Sequence, residues 1–135
     1  MSGCRVAHED RWGEILDRPQ LDLLELRWFD STAAMTGDDF KQALATFAEH
    51  AERARRGGAL VDGTGFLMDP AHLDAEWRDA NIIPCYNAAG IQRFAFHMPA
   101  GVLMIGSVPA LEPPGLFPTG YFGARQQALD WLAGR

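Results

Sequence analysis

Leu24, Leu26 and Trp28 fall on one face of "LDLLELRWF" (21–29), and Glu25 and Arg27 fall on the other. That two-residue period is the mark of a half-buried strand. The preceding "RWGEILDR" (11–18) reads as a partner strand, with Arg18-Pro19-Gln20 as the turn, so the packed chain opens with an antiparallel hairpin. Residues 1–4 are expected to lie outside it. From Thr36 the period changes. Phe40, Leu44, Phe47, Ala48 and Ala51 form one stripe at helical spacing. Thr36 and Asp39 have the spacing of a capping box, and Met35 and Phe40 that of a hydrophobic staple. Arg53, Arg55 and Arg56 fill the last turn, where cations favour the helix dipole, and Gly57-Gly58 stop the helix.

Residues 59–62 are apolar up to Asp62 and do not alternate, which predicts a central strand buried on both faces. A second helix is expected from about Pro70, with Leu73, Trp77 and Ala80 on one side and Pro84 breaking or restarting it. "IQRFAFHM" (91–98) reads as a strand and 117–122 as a last short one. "GARQQALDWLAG" (123–134) closes the chain as a helix with Ala124, Ala128, Trp131 and Leu132 inward. Strands alternating with helices imply crossover connections. The fold class expected is therefore α/β, a single domain over 1–135. Its sheet has about four to five mixed strands, antiparallel in the opening hairpin and largely parallel beyond it, with helices packed against it.

Composition narrows the function. The chain has 135 residues, of which 47% are apolar and 22% charged, so it can bury one core. A net charge of −6 with scattered basic residues disfavours nucleic acid as a partner. Cys4 and Cys85 belong to no metal-spaced cluster, so neither metal nor cofactor is expected. No leader pattern and no apolar run of membrane-spanning length is visible, so no integral membrane segment and a cytoplasmic location are expected.

The stretch "VDGTGFLMDPA" (61–71) resembles the motif of anti-sigma-factor antagonist (STAS) domains. These place D-x-S-G, a few apolar residues and D-S-S-G between a central strand and a helix. Asp62, Thr64 and Gly65 match the first part and Asp69 the second aspartate, one residue closer, with Pro70 and Ala71 where the serines stand. "YFGARQQALDWL" resembles the ending of the SpoIIAA-like branch, through Ala128, Trp131 and Leu132, and "LRW…MTGDDFKQAL" and "VDGTGF" also resemble that branch. The resemblance covers most of the chain from about Leu21. It implies a STAS-like fold, related in architecture to lipid-holding CRAL-TRIO domains, and a regulatory role through a partner. It also implies a phosphorylated hydroxyl at the helix start, which Pro70 does not supply; Thr64 and Ser107 keep hydroxyls elsewhere.

The expected function is thus a non-enzymatic regulatory or binding domain for a protein partner or an apolar small molecule. Its site would lie at the strand ends around Asp62, Thr64, Phe66, Asp69 and Trp77, where open α/β sheets bind ligands. The span 94–124 carries a single formal charge, Glu112, and many apolar side chains. Its proline-rich part, with Leu111, Leu116 and Phe117, is expected as a lid, a partner surface or a cover for the sheet edge. A homodimer is a further candidate assembly. Two alternatives belong to other classes. One is a small hydrolase or thiol enzyme using Asp62 and Asp69, or Cys85 with a histidine such as His72 or His97. The other is an antagonist phosphorylated on Thr64. Against these stand plain structural roles, with Asp62 and Asp69 capping turns and Cys85 packing.

Overall fold

The structure is a computed structural model that describes residues 4–99 and 109–134. Its strands are β1 (Arg5–Glu9), β2 (Gly13–Arg18), β3 (Leu23–Trp28), β4 (Gly58–Asp62), β5 (Arg93–His97), β6 (Ala110–Leu111) and β7 (Pro118–Phe122). The helices are α1 (Gly37–Ala54), α2 (Ala75–Asn81), α3 (Ile83–Ala89) and α4 (Arg125–Leu132). The class is α/β, as the alternation of periods predicts. Among the described residues the sheet has seven strands rather than four to five, in the order β1-β2-β3-β4-β5-β7-β6. The additional strands β1 and β6 lie at its two edges. Neither has a fully buried residue, so neither leaves an alternating pattern to read.

Antiparallel pairing joins β1 to β2, β2 to β3 and β6 to β7, and the four strands β3, β4, β5 and β7 run parallel. Each crossover from β3 through β5 advances one strand in the same direction. Right-handed connections then place α1 and the α2–α3 pair on one face, the front, where α1 and α3 pack together. Phe47, Ala48 and Ala51 of α1 meet Leu24, Leu26, Ala59, Val61 and Phe94 there. The capping box forms as expected, with the Asp39 amide donating to Thr36 Oγ1 (3.2 Å) and the Thr36 amide to Asp39 Oδ2 (3.0 Å). The helix does not end on glycine. Arg55 takes the left-handed turn at φ 52° and its amide closes onto the Ala51 carbonyl.

The single helix expected from Pro70 is three elements. Asp69 Oδ1 accepts the Ala71 amide (2.9 Å) at a 3-10 turn over Pro70–His72, and Asp74 caps α2 through the Trp77 amide (3.0 Å). Pro84 sits in the first turn of α3, where its missing amide hydrogen costs nothing, so it restarts the helix. Of Leu73, Trp77 and Ala80, only Trp77 packs against the core, because the shorter α2 begins later and turns Ala80 outward.

The back of the sheet carries Leu23, Leu60 and Ala95 under Ala128 of α4, flanked by Phe122 and Trp131. Ala124 caps α4 and is exposed, contrary to its expected inward position. Glu25 also points to this face. The strand period marks it as polar, but it has no exposed surface. Arg125 grips it with two hydrogen bonds (2.7 and 2.8 Å), Arg18 adds a third (2.9 Å), and Arg27 stands 3.6 Å away. Burial opposes ionisation more strongly than any single partner favours it. The hydrogen bonds and charges of Arg125 and Arg18 together outweigh burial and hold the carboxyl below its ordinary pKa. Asp17 is lowered similarly, chiefly by its Arg56 hydrogen bonds.

The proline-rich segment divides. Leu111 and Leu116 are exposed, but Phe117 is 3% exposed and stacks on Phe94 at 5.9 Å, so its assignment to a surface is corrected. The cause is its position, one residue before β7, whose register draws it over the front face. Phe117→Ala should therefore cost about 3–5 kcal/mol in denaturant titration, whereas Leu116→Ser should stay within about 0.5 kcal/mol.

The acid side of the stability curve tests Glu25. A carboxyl with a depressed folded pKa contributes stability that is complete above its unfolded pKa, about 4.3 for Glu. That contribution is lost as pH falls from there through the folded value. Wild-type stability should drop with pH across this window, and Glu25→Gln should be less stable at neutral pH with a flatter acid limb.

Candidate functional site

Asp62 ends β4 and organises the turn that follows it. Its Oδ1 accepts the Thr64 amide (3.0 Å) and hydroxyl (2.6 Å), the local pairing that aspartate favours at turns. The Gly63 amide donates to the His97 carbonyl, and the Phe66 amide to the Gly63 carbonyl. Gly65 passes so close to β3 that a Cβ there would stand 2.8 Å from the Trp28 carbonyl oxygen. Thr32, fully buried, accepts the Leu67 amide (2.8 Å) and donates to the Phe29 carbonyl (2.8 Å), fixing the far side of the turn. These constraints deliver Phe66 to the front face, 5.1 Å from Trp28 and 5.9 Å from Phe40.

A second segment approaches from the opposite side. The Asn87 side chain on α3 donates to the Pro114 carbonyl (3.1 Å) and accepts the Leu116 amide (2.8 Å). These two hydrogen bonds pin the proline-rich segment beside α3. Between it, the Asp62 turn, α2, α3 and the sheet lies a pocket of about 270 Å³. Its floor is aromatic. Phe94 and Phe96 lie 5.1 Å apart, and Phe96 and Tyr121 stack at 5.2 Å with planes 10° apart. Eight of the chain's fourteen Phe, Tyr and Trp residues line this one pocket.

The ionisable groups of the lining are Arg78, Asp79, Tyr86, Glu112 and Tyr121. Tyr121 donates to Glu112 Oε2 (3.2 Å), and Arg78 Nη2 reaches Asp79 Oδ1 (3.4 Å). Burial raises the pKa of both tyrosines, and Glu112 raises Tyr121 further, so both remain phenols. A mostly apolar cavity with a few polar groups is the form that small-molecule sites take.

The expected site residues are not brought together. Phe66 lines the pocket; Asp62 and Thr64 do not. The Asp62 carboxylate points to the back, 3.6 Å from Arg27 Nε and 3.8 Å from His97 Nδ1. Arg27, Asp62 and His97 share one row across β3, β4 and β5. Asp69 is exposed and caps its turn, and Trp77 packs half-buried with Lys41 5.4 Å above its ring. Leu111 and Leu116 are outside the pocket lining, and Phe117 is inside it.

For the thiol alternative, Cys85 donates to the Asn81 carbonyl (3.5 Å), and burial, then Glu52, raises its pKa. A raised pKa disfavours the thiolate that a nucleophile needs. His72 lies against the Met35 carbonyl and His97 beside Asp62. No group of three or more His, Cys, Asp or Glu able to hold a metal occurs among the described residues, and Ser107 lies outside them. No helix among them is long and apolar enough to cross a membrane.

No protein-family model, curated protein or solved structure matches the chain.

Sequence reasoning missed Arg78, Asn87, Phe96 and Tyr121 as members of a site. Phe96 and Tyr121 carried a usable signal, since both alternate onto the front face of strands the sequence predicts. Arg78 and Asn87 carried none, since nothing local marks a helix residue as facing a cavity, or, for Asn87, as bonding to a segment 27 residues away.

Asn87→Ala removes both bonds that hold the proline-rich wall. At roughly 0.5–1.5 kcal/mol for each hydrogen bond, stability should fall by about 1–3 kcal/mol. Amide hydrogen exchange at Leu116 should accelerate well beyond that at β4; equal protection of Leu116 in the variant would show that the wall does not depend on Asn87.

Proposed function

We propose that this domain is a non-enzymatic binding module whose ligand is an apolar small molecule held in the aromatic pocket. The observation that carries the reading is the cavity itself: about 270 Å³, walled by rings, at the ends of the parallel strands. An apolar cavity of about 150 Å³ accepts benzene in another protein, so this one has room for roughly a bicyclic molecule. Binding modules of this kind use apolar area for affinity and a few polar groups for orientation.

The resemblance to SpoIIAA-like STAS domains supports the non-enzymatic part, and a regulatory role follows if ligand occupancy changes the exposed surface around Leu73, Leu111 and Leu116 for a protein partner. Phosphorylation is the less favoured version of that role. Pro70 has no hydroxyl, and the Thr64 hydroxyl is committed to Asp62 at 2.6 Å. A thiol enzyme is less favoured because Cys85 is held as the thiol.

Isothermal titration with 2-naphthylmethanol, a neutral bicyclic probe, tests the reading. One site per chain is expected, with the negative heat-capacity change that burial of apolar surface produces. Ile83→Trp, which fills the pocket from α3, should weaken binding at least tenfold while the melting temperature stays close to that of the wild type. Equal affinity in that variant would place the probe elsewhere, and absence of binding to the wild type would remove the proposal.

A further inference from the structure

The polar groups of the pocket fall into two sets. Those toward its mouth already have partners: Arg78 Nη2 reaches Asp79 Oδ1 at 3.4 Å, and the Tyr121 hydroxyl donates to Glu112 at 3.2 Å. Arg78 and Asp79 are each 43% exposed as side chains, and Glu112 is exposed. Deeper in the lining stand two hydroxyls, Tyr86 on α3 and Thr119 on β7, on residues only 4% and 7% exposed. Neither hydroxyl makes a hydrogen bond among the described residues. Neither is sealed off. The fully buried side-chain atoms without a partner there are Arg27 Nε, Arg78 Nε and His97 Nδ1, so the Tyr86 and Thr119 oxygens keep open surface. The open space these two residues border is the pocket.

Both hydroxyls belong to residues that flank Phe94. The Tyr86 ring lies 5.2 Å from the Phe94 ring, and Thr119 is the register partner of Phe94 across β5 and β7. Burial keeps Tyr86 a phenol and so a hydrogen-bond donor. A hydroxyl left unbonded among aromatic rings costs free energy until an acceptor meets it. The ionised side chains of the lining are engaged at the mouth, so a charged ligand group beside Tyr86 and Thr119 would lose its water without gaining an ion pair. A carbonyl oxygen is neutral and accepts up to two hydrogen bonds, which matches two donors with no acceptor.

Building on the small-molecule reading, we propose that the ligand is an uncharged apolar molecule with a carbonyl oxygen, a ketone or an ester in class. Its oxygen is buried at the inner end of the pocket and accepts from the Tyr86 hydroxyl, with Thr119 as the second donor. Its body lies against Phe94, Phe96 and Tyr121. The aromatic walls set affinity by contact area, and the two hydroxyls set orientation.

Two probes of one shape isolate the oxygen: 2-acetylnaphthalene and 2-isopropenylnaphthalene, in which a methylene group replaces the carbonyl oxygen. Each is measured by equilibrium dialysis against the wild type, Tyr86→Phe and Thr119→Val. Because the probes differ in their attraction to water, the quantity read is the ratio of ketone to hydrocarbon affinity and its change between proteins. That ratio should fall about fivefold or more in Tyr86→Phe and about two- to fivefold in Thr119→Val, the range that one neutral hydrogen bond covers. A second readout needs no ligand. Since neither hydroxyl has a partner to lose, both variants should melt at or above the wild-type temperature. A fall of about 4 °C or more in Tyr86→Phe, the size of a lost hydrogen bond, would show that the hydroxyl is already paired and would overturn the inference. An unchanged ratio in Tyr86→Phe would overturn it too and leave the pocket proposal standing. Failure of both probes to bind the wild type would remove the pocket proposal along with it.

Discussion

Parallel strands cannot be joined by a tight turn, and the crossovers that join them have one hand. Because β3, β4 and β5 follow one another in a single direction, that handedness commits α1 and the α2–α3 pair to the same face. The front is therefore covered by long amphipathic elements, and the back receives only what comes after β7, the short helix α4. Most of the molecule's particular features follow from this asymmetry. The front has the large core around Phe47, and also the gap where α1, α3 and the proline-rich segment do not meet over the strand ends.

The back face resolves a different difficulty. A helix of eight residues can cover Leu60 and Ala95 but cannot cover the outer half of β3 with apolar side chains. Glu25 lies at that border with no contact with solvent, and Arg125, the first residue of α4, reaches across to it. Such a pair adds little to stability compared with well-packed apolar residues, but removing one partner leaves a buried charge and is severe. Its structural effect is positional. The two bonds fix where α4 begins, and the helix then places Ala128 over Leu60 and Ala95.

The pocket is built by the same economy of local devices. Asp62 serves its own turn, Thr32 ties that turn to β3, and Asn87 ties the proline-rich segment to α3. None of the three lines the pocket, yet together they place Phe66 and Phe117 on opposite sides of the aromatic floor. The polar row Arg27–Asp62–His97 on the other face is separated from it by the thickness of the sheet. Asp62 thus has a structural part in a site to which its carboxylate makes no contact, which answers why an aspartate stands at the end of the central strand.

The sequence by itself determined the elements whose information is local. The capping box at Thr36 and Asp39, the apolar stripe of α1, the alternation of β3 and the strand ending at Asp62 each depend on neighbours within one or two turns, and each was readable. So was the α/β class, since it follows from the order of the periods. Tertiary structure decided what period alone leaves open: whether a face turned away from the core meets water or another element. Glu25 and Arg27 have the same parity in β3, yet Glu25 is sealed by a residue 100 positions away and Arg27 is partly exposed. Phe117 and Leu116 are neighbours in one proline-rich segment, yet the first is core and the second is surface, because the register of β7 fixes only the former. The pocket belongs wholly to this second kind. A cavity exists where separate elements fail to touch, and that distance is written in the packing of the whole chain rather than in any one stretch of it.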